Sequence, residues 1–256
     1  MIINLKLKKM KQSNLLFSVI VIFMIMFFGG CSKDDDTANP PPQNEPPTYA
    51  GKTVTPPEAL TQSSDPGAQE AMMYINMANN FAGMAEGYMT PPGKSTGFKS
   101  TNGDGPPWVY SWDVNDESGT YTLTLTINEN SEGSDWTMKV TGVMDGITLT
   151  NFTLVHGWQS TDDKSGDFTV YDWQTQDISF KMSWITDENN VYTLTVVFPQ
   201  ESKIVIKSNP DNSGSIEFYD WTGEVFGLTF NAVWNSAGHG EYWEYEGGEL
   251  LNHGTW

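Results

Sequence analysis

Aromatic side chains are the residues of this chain best suited to binding chemistry. All ten tryptophans lie after residue 107, many of them beside Asp, Asn or Glu. Tryptophan stacks on flat apolar faces while a neighbouring carboxylate or amide bonds to hydroxyl groups, a combination typical of ligand sites. A surface for a glycan or another small molecule is one interpretation. The other is that the tryptophans fill a β core or form cross-strand pairs.

Four residues are the candidates for ligand contact. Trp158 and Trp243 fall outside the repeated Tyr-Asp-Trp positions described below, so they are better surface candidates than the other tryptophans. Glu241 and Tyr242 adjoin Trp243 and would add a carboxylate and a second aromatic ring. We therefore expect the ligand site to include Trp158, Trp243, Tyr242 and Glu241.

Catalytic patterns are sparse. The sequence has neither a Gly-x-Ser-x-Gly elbow nor a His-Glu-x-x-His motif. His239 and His253 lie near several glutamates but without defined ligand spacing, and His156 sits in an apolar run expected to be a strand. A carboxylate pair for glycoside hydrolysis depends on distances in space and stays open. The sequence favours a protein that is not an enzyme, and we assign no catalytic residue, metal ligand or cofactor.

An internal repeat surrounds several of the tryptophans. Residues 166–173 and 214–221 both begin with Gly and end with Tyr-Asp-Trp, and residues 240–246 keep the Gly-to-Tyr spacing. Each copy is followed by a later tryptophan: Trp184, Trp234 and Trp256. The repeat predicts a two-stranded unit that is used more than once, with aromatic residues on its strands.

The elements that must position these residues are strands. Segments 121–127 and 192–198 alternate apolar residues with threonine over most of their length, which is typical of a sheet with one buried face. Turn residues such as Asp145-Gly146 and Gly247-Gly248 separate such runs. We predict a mainly β fold of ten to twelve short strands in an antiparallel meander, arranged as a barrel or a two-sheet sandwich.

One helix is predicted before the strands. Asp65 is suited to the N-cap and Pro66 to the first helical position, and apolar residues follow at helical spacing as far as Met89. We expect a helix from Pro66 to about Tyr88 that covers one end of the β domain. Its methionines also suit an adaptable lid over a ligand. Residues 66–256 are thus predicted to form one domain.

Residues 31–65 have a different composition. Eight of the fourteen prolines lie between Ser32 and Pro66, with few apolar residues among them. Such a segment extends and cannot bury a core of its own. We predict a proline-rich, acidic tether.

The overall charge limits the kinds of partner. The chain has 13 Lys+Arg against 32 Asp+Glu, a formal net charge of −19, and every one of those cations is lysine. Nucleic acid is bound through cationic side chains, so a nucleic-acid partner is not expected.

The N-terminus has the pattern of an export signal. Lysines precede an apolar run from Leu15 to Phe28, and two glycines follow before Cys31, the only cysteine. An uncleaved N-terminal anchor is the alternative, although the run is short for a membrane span. Phe28-Gly29-Gly30-Cys31 resembles the processing box of bacterial lipoproteins, and residues 32–36 resemble the acidic export signal of some outer-membrane lipoproteins. The resemblance implies a signal peptide over residues 1–30, palmitate or another acyl chain on Cys31, and a lipid-anchored place on the outer membrane, exposed at the cell surface.

The C-terminal segment 245–256 resembles a MORN-type hairpin in its Tyr, Gly-Gly and Gly-x-Trp elements. That resemblance supports hairpins in the meander and implies no function.

The sequence as a whole predicts a lipid-anchored binding module for a glycan or another small molecule. The alternative is a structural or adhesion lipoprotein with no small-molecule ligand. Under either interpretation the protein would contact the membrane through its lipid anchor alone. The sequence makes no prediction of oligomeric state.

Overall fold

Two helices and thirteen strands make up the described chain. A computed structural model of the protein describes residues 46–49, 51–91, 99–100 and 105–256. The helices are α1 (Glu58–Thr61) and α2 (Pro66–Met89). The strands are β1 (Lys99–Ser100), β2 (Trp108–Asp116), β3 (Gly119–Glu129), β4 (Gly133–Met144), β5 (Ile147–Ser160), β6 (Ser165–Tyr171), β7 (Ile178–Thr186), β8 (Tyr192–Phe198), β9 (Ser202–Ser208), β10 (Gly214–Trp221), β11 (Phe226–Trp234), β12 (Gly240–Glu246) and β13 (Glu249–Thr255).

All of the strands belong to one antiparallel sheet in which spatial order follows chain order from β1 to β13. The predicted mainly β meander with an N-terminal helix is therefore confirmed. Twelve of the strands have seven residues or more, and β1 has two. In this part of the chain β1 pairs only with β2, and β13 pairs only with β12, so the sheet has two edges.

Tight turns hold consecutive strands in register. Asp145 and Gly146 connect β4 to β5 with φ of 49° and 79°, and Gly247 and Gly248 connect β12 to β13 with φ of 60° and 85°. Two consecutive positive φ values match the right-handed twist of the flanking strands, and Asp-Gly and Gly-Gly adopt them at low cost. These two hairpins were marked in the sequence by the same dipeptides.

Helix α2 begins where the sequence predicts. The Asp65 carboxylate accepts a hydrogen bond from the backbone N–H of Gly67 at 2.8 Å, and Pro66 occupies the first turn. The helix ends at Met89, one residue beyond the predicted end, and Pro91 follows. The side chains that face the sheet are buried, among them Ile75, Ala78 and Ala85.

Helix α2 lies across the strands. From its N-terminus to its C-terminus it contacts strands in reverse chain order, from β12 to β5. The successive contacts are Gly67 with Tyr242 on β12, Tyr74 with Phe218 on β10, Phe81 with Phe180 on β7, and Met89 with Gly157 on β5. From Gly67 to Met89 a helix rises about 33 Å. The seven intervals between β12 and β5 span about 34 Å at the usual strand spacing. The helix therefore has the length needed to cover these eight strands.

An inner row of side chains forms the sheet's half of the core. Its members are register partners from β2 to β11: Trp108, Ile127, Trp136, Gly157, Phe168, Met182, Val196, Ile204, Phe218 and Phe230. All except Phe218 are buried. Phe218 stacks on Tyr74 of α2 with ring centroids 4.2 Å apart. The inner row and α2 thus enclose a continuous apolar layer.

The internal repeat pairs a glycine with a tryptophan. Gly166 lies opposite Trp184, and Gly214 lies opposite Trp234, on neighbouring strands. A Cβ on either glycine would collide with the tryptophan ring, and the same holds for Gly240 beneath the ring of Trp256. The tryptophan ring packs over the glycine, which has no side chain. This contact offsets the destabilising effect of a glycine within a strand. This packing explains why glycine and tryptophan recur together.

The described part of the predicted tether belongs to the folded unit. Tyr49, Val54 and Leu60 are buried at 2%, 3% and 0% exposure. The Tyr49 ring packs edge-on against Trp136 and Trp184 at centroid distances of 5.4 and 5.2 Å. The expected boundary at residue 65 is therefore too late, because a few apolar side chains between the prolines dock on the sheet. From residue 46 the described chain is packed against the domain.

The predicted signal peptide, residues 1–30, and Cys31 lie outside the described residues. Neither α1 nor α2 has the length and apolar character required to cross a membrane. The structure therefore leaves the predicted lipid attachment as a prediction.

Close packing between α2 and β12 predicts opposite effects of the same substitution at two glycines. Gly67→Ala is expected to lower the free energy of unfolding by about 1 to 3 kcal/mol, because its Cβ would overlap the Tyr242 ring. Gly83→Ala on the same helix is expected to raise it by about 0.4 to 1 kcal/mol, because no atom lies within 4 Å of that Cβ. Urea unfolding measures both, and equal effects of the two substitutions would contradict this packing.

Candidate functional site

An outer row of side chains lies on the opposite face of the sheet from α2. Its register partners run from β3 to β13: Asn128, Asp135, Trp158, Asp167, Ser183, Thr195, Val205, Glu217, Asn231, Trp243 and His253. Most of these residues directly follow or precede a member of the inner row, and successive strand residues point to opposite faces. The outer row is therefore fixed in place by the packing of the core behind it.

A depression of about 300 Å³ lies at Trp158, and we call it the Trp158 groove. Its lining residues are Trp158, Ser165, Gly166, Asp167, Ser183, Trp184, Ile185, Thr193 and Thr195. The Trp158 side chain is partly exposed and supplies an aromatic wall. Serine and threonine hydroxyls and the Asp167 carboxylate supply hydrogen-bonding groups. The groove thus combines the two kinds of contact that hold polyhydroxylated ligands.

Asp135 and Asp167 flank Trp158 on its two neighbouring strands, as its direct register partners on β4 and β6. The Asp135 carboxylate accepts a hydrogen bond from Nε2 of His156 at 2.7 Å. This bond lowers the pKa of Asp135 below its ordinary value and raises the pKa of His156 above its ordinary value. Asp135 is therefore held as a carboxylate that orients His156.

Asp167 has a different electrostatic environment. Burial raises its pKa, the Asp135 charge raises it further, and His156 and Lys181 oppose these effects. The backbone carbonyl of Asp167 also accepts a hydrogen bond from the Tyr49 hydroxyl at 3.2 Å. The N-terminal segment thus contacts β6 at the strand position that supplies a groove carboxylate.

Trp243 and Glu241 lie on the same face as Trp158 but seven strands away. The Trp243 ring stacks on the His253 ring with centroids 5.1 Å apart and an interplanar angle of 16°. Nε2 of His253 lies 3.3 Å from the Glu241 carboxylate. These three side chains form an exposed cluster on the last hairpin. The structure therefore separates Trp158 from the other predicted site residues.

Tyr242 lies on the opposite face from its neighbours Glu241 and Trp243. It is 8% exposed, and its ring packs on Gly67 and Gly254 and stacks with Phe230 and Trp256. The expectation that Tyr242 contacts a ligand beside Glu241 and Trp243 is wrong. Consecutive residues of a strand point to opposite faces, so these three cannot share one surface.

Some tryptophans are buried in the core and others are partly exposed, so each of the two interpretations of the sequence applies to part of the set. Four are buried at 4% exposure or less, namely Trp108, Trp136, Trp184 and Trp234. The other six are partly exposed: Trp112, Trp158, Trp173, Trp221, Trp243 and Trp256. Core packing therefore accounts for some members of the set, and Trp158 is the partly exposed tryptophan that lines the groove, beside buried Trp184.

Sequence reasoning missed most of the groove. The lining residues Asp167, Ser183 and Thr195 lie on three different strands and meet only through register. The alternation within β6 does place Asp167 on the face opposite the apolar Phe168, which is a local signal. Among the described residues, no group of three His, Cys, Asp or Glu side chains is placed to hold a metal ion.

Comparison with protein-family models and with curated proteins gives no match to this chain.

The Asp135–His156 pair predicts a measurable titration. In the folded protein the pKa of His156 is expected above 6.5. Its contribution to the free energy of unfolding is then present below pH 6.5 and is lost as pH rises through the folded-state pKa. Asp135→Asn is expected to lower the His156 pKa, because the carboxylate is the largest cause of the shift. NMR titration of the His156 ring protons measures both values.

Asp211→Asn is the matched control, because Asp211 lies in the turn between β9 and β10 and bonds to Ser213. It should leave the His156 titration unchanged. A His156 pKa that is the same in the wild type and in Asp135→Asn would contradict the pairing.

Proposed function

We propose that this protein is a lipid-anchored, surface-exposed binding module that holds a glycan in the Trp158 groove. The observation that carries the proposal is the placement of Trp158 between two carboxylates and beside hydroxyl side chains on an exposed sheet face. Sugars present apolar C–H faces and many hydroxyls, so they are bound by this pairing of an aromatic ring with polar acceptors.

The chemistry of the lining favours a glycan over an anionic ligand. No lysine lines the groove, and Asp167 contributes a carboxylate. An anionic ligand would be repelled there, and the protein's overall net charge of −19 adds to that repulsion. A neutral ligand rich in hydroxyls carries no such cost.

The second candidate function is a structural or adhesion lipoprotein without a small-molecule ligand. The glycine–tryptophan pairs support it, because Trp184 and Trp234 are buried against Gly166 and Gly214. The two candidates differ in one respect, which is whether exposed Trp158 contacts a ligand.

The groove predicts a specific binding defect. Trp158→Ala is expected to weaken binding of neutral disaccharides and trisaccharides about ten-fold, which corresponds to about 1.4 kcal/mol, because the stacking wall is lost. A panel of neutral oligosaccharides titrated against tryptophan fluorescence identifies the sugars that bind, and calorimetry then measures Kd for each variant.

Trp221→Ala is the control for this experiment. Trp221 is also partly exposed, but it packs on Phe226 at a centroid distance of 5.2 Å and lies outside the groove. It should leave Kd near the wild-type value. Absence of binding to every sugar in the panel, or equal Kd values for wild type and Trp158→Ala, would sink the glycan proposal and favour the structural or adhesion role.

The location part of the proposal rests on Cys31. Acyl chains add about 0.8 kcal/mol of membrane affinity per buried CH₂, and more than one chain is needed for stable anchoring. Cys31→Ser is expected to abolish incorporation of labelled palmitate, because the acylated thiol is lost.

Ser32→Ala, at the next position, is expected to keep both the label and the membrane association. Protease treatment of intact cells tests exposure at the surface. Palmitate labelling that persists in Cys31→Ser would contradict lipid attachment at this residue.

A further inference from the structure

We infer that the part of the outer row from Trp158 to Trp243 is an extended track for a neutral, linear polysaccharide. This inference rests on the proposed function of the Trp158 groove and extends it to a substrate class. A polysaccharide chain would cross the strands of the sheet, following the register.

The first support is that the row is unbroken between the two tryptophans. Every strand from β5 to β12 contributes one residue at the shared register position. The residues between the two tryptophans are Asp167, Ser183, Thr195, Val205, Glu217 and Asn231. None of them has a bulky aromatic ring, and five of the six carry oxygen atoms that accept hydrogen bonds from hydroxyls. At the usual strand spacing the two tryptophans are about 34 Å apart along the row, which is room for several linked sugars.

The second support is the helix behind the row. Helix α2 contacts the same strands, from Tyr242 on β12 to Gly157 on β5. Tyr242 and Gly157 are the strand neighbours of Trp243 and Trp158. The core therefore holds both ends of the row in fixed positions before any ligand arrives. A preorganised surface loses less conformational entropy on binding than a mobile one.

The third support is the arrangement at the Trp243 end. The stack of Trp243 on His253 fixes the plane of the indole ring, and the contact of His253 with Glu241 fixes the imidazole in turn. The Trp243 end therefore has the same components as the Trp158 end, which are an indole ring, a histidine and a carboxylate. Repetition of these components at two points of one row suits a ligand with repeated units.

The charges along the row decide between classes of polysaccharide. Asp135, Asp167 and Glu217 belong to the row, and no lysine does. Three lysines, Lys181, Lys203 and Lys207, lie two residues from members of the row on the same strands, and Nζ of Lys203 lies 3.8 Å from the centre of the Tyr219 ring. An acidic polysaccharide would meet two carboxylates between the tryptophans, Asp167 and Glu217, and a third, Asp135, just beyond Trp158, so the track suits a neutral chain.

The test is the dependence of affinity on oligosaccharide length. Kd is measured by calorimetry for neutral linear oligosaccharides, from disaccharide to decasaccharide, of the sugar type that binds best in the panel. For the wild type, affinity should rise with length until the chain spans both tryptophans. In Trp243→Ala that gain with length should be lost, so that the longest oligosaccharide binds about ten-fold more weakly than to the wild type. Trp221→Ala, outside the row, should show the same rise with length as the wild type.

The outcomes distinguish this inference from the proposed function. If Trp158→Ala weakens binding at every length and Trp243→Ala weakens it at none, the groove binds sugar and the track does not exist. If Trp243→Ala weakens disaccharides as much as decasaccharides, the two tryptophans are not separate ends of one path, and the track is again overturned. If Trp158→Ala has no effect at any length, the proposed function itself fails. Near-UV circular dichroism of each variant shows whether the fold is intact.

Discussion

The packing of α2 across the strands is the constraint on which the rest of the structure depends. In a meander each strand pairs with the strands next to it in the sequence, so the pairing alone does not connect distant strands. Helix α2 supplies that connection, because Gly67 contacts β12 and Met89 lies over β5. The spacing of strands and the rise of the helix are both fixed by backbone geometry, so the number of strands covered follows from the helix length.

The same register that builds the core also builds the exposed surface. Phe168 belongs to the inner row, and Asp167, the residue before it, belongs to the outer row. A shift of one residue in the pairing of β6 with its neighbours would exchange these two faces, exposing Phe168 and burying the Asp167 carboxylate. Burial of the inner row therefore determines which polar groups meet at the Trp158 groove. The candidate site is a consequence of core packing and has no separate scaffold.

Local patterns in the sequence predicted the helix and the strands well. They did not predict which residues of different strands lie opposite each other. Asp65-Pro66 marked the start of α2, and the alternation of residues 121–127 marked β3, because capping and alternation are local properties. The proximity of Asp135 to His156 depends on the β4–β5 pairing, so no local pattern contains it. Tyr242 was misassigned because proximity in sequence was taken for proximity on a surface. The tether boundary was misplaced because composition averages over a segment, whereas a few buried side chains, Tyr49, Val54 and Leu60, hold this part of the chain on the domain.

The position of Tyr49 has a mechanical consequence. Its ring lies among Trp136, Phe168 and Trp184, on the strands whose outer positions are Asp135, Asp167 and Ser183. Tension applied to Tyr49 therefore enters the domain at β4, β6 and β7, behind the Trp158 groove, and not at the edge strand β13. A force between the N-terminus and a ligand in the groove would act across the thickness of the sheet. Aromatic packing around Tyr49 would resist it, and the hairpins would not separate one by one from an edge.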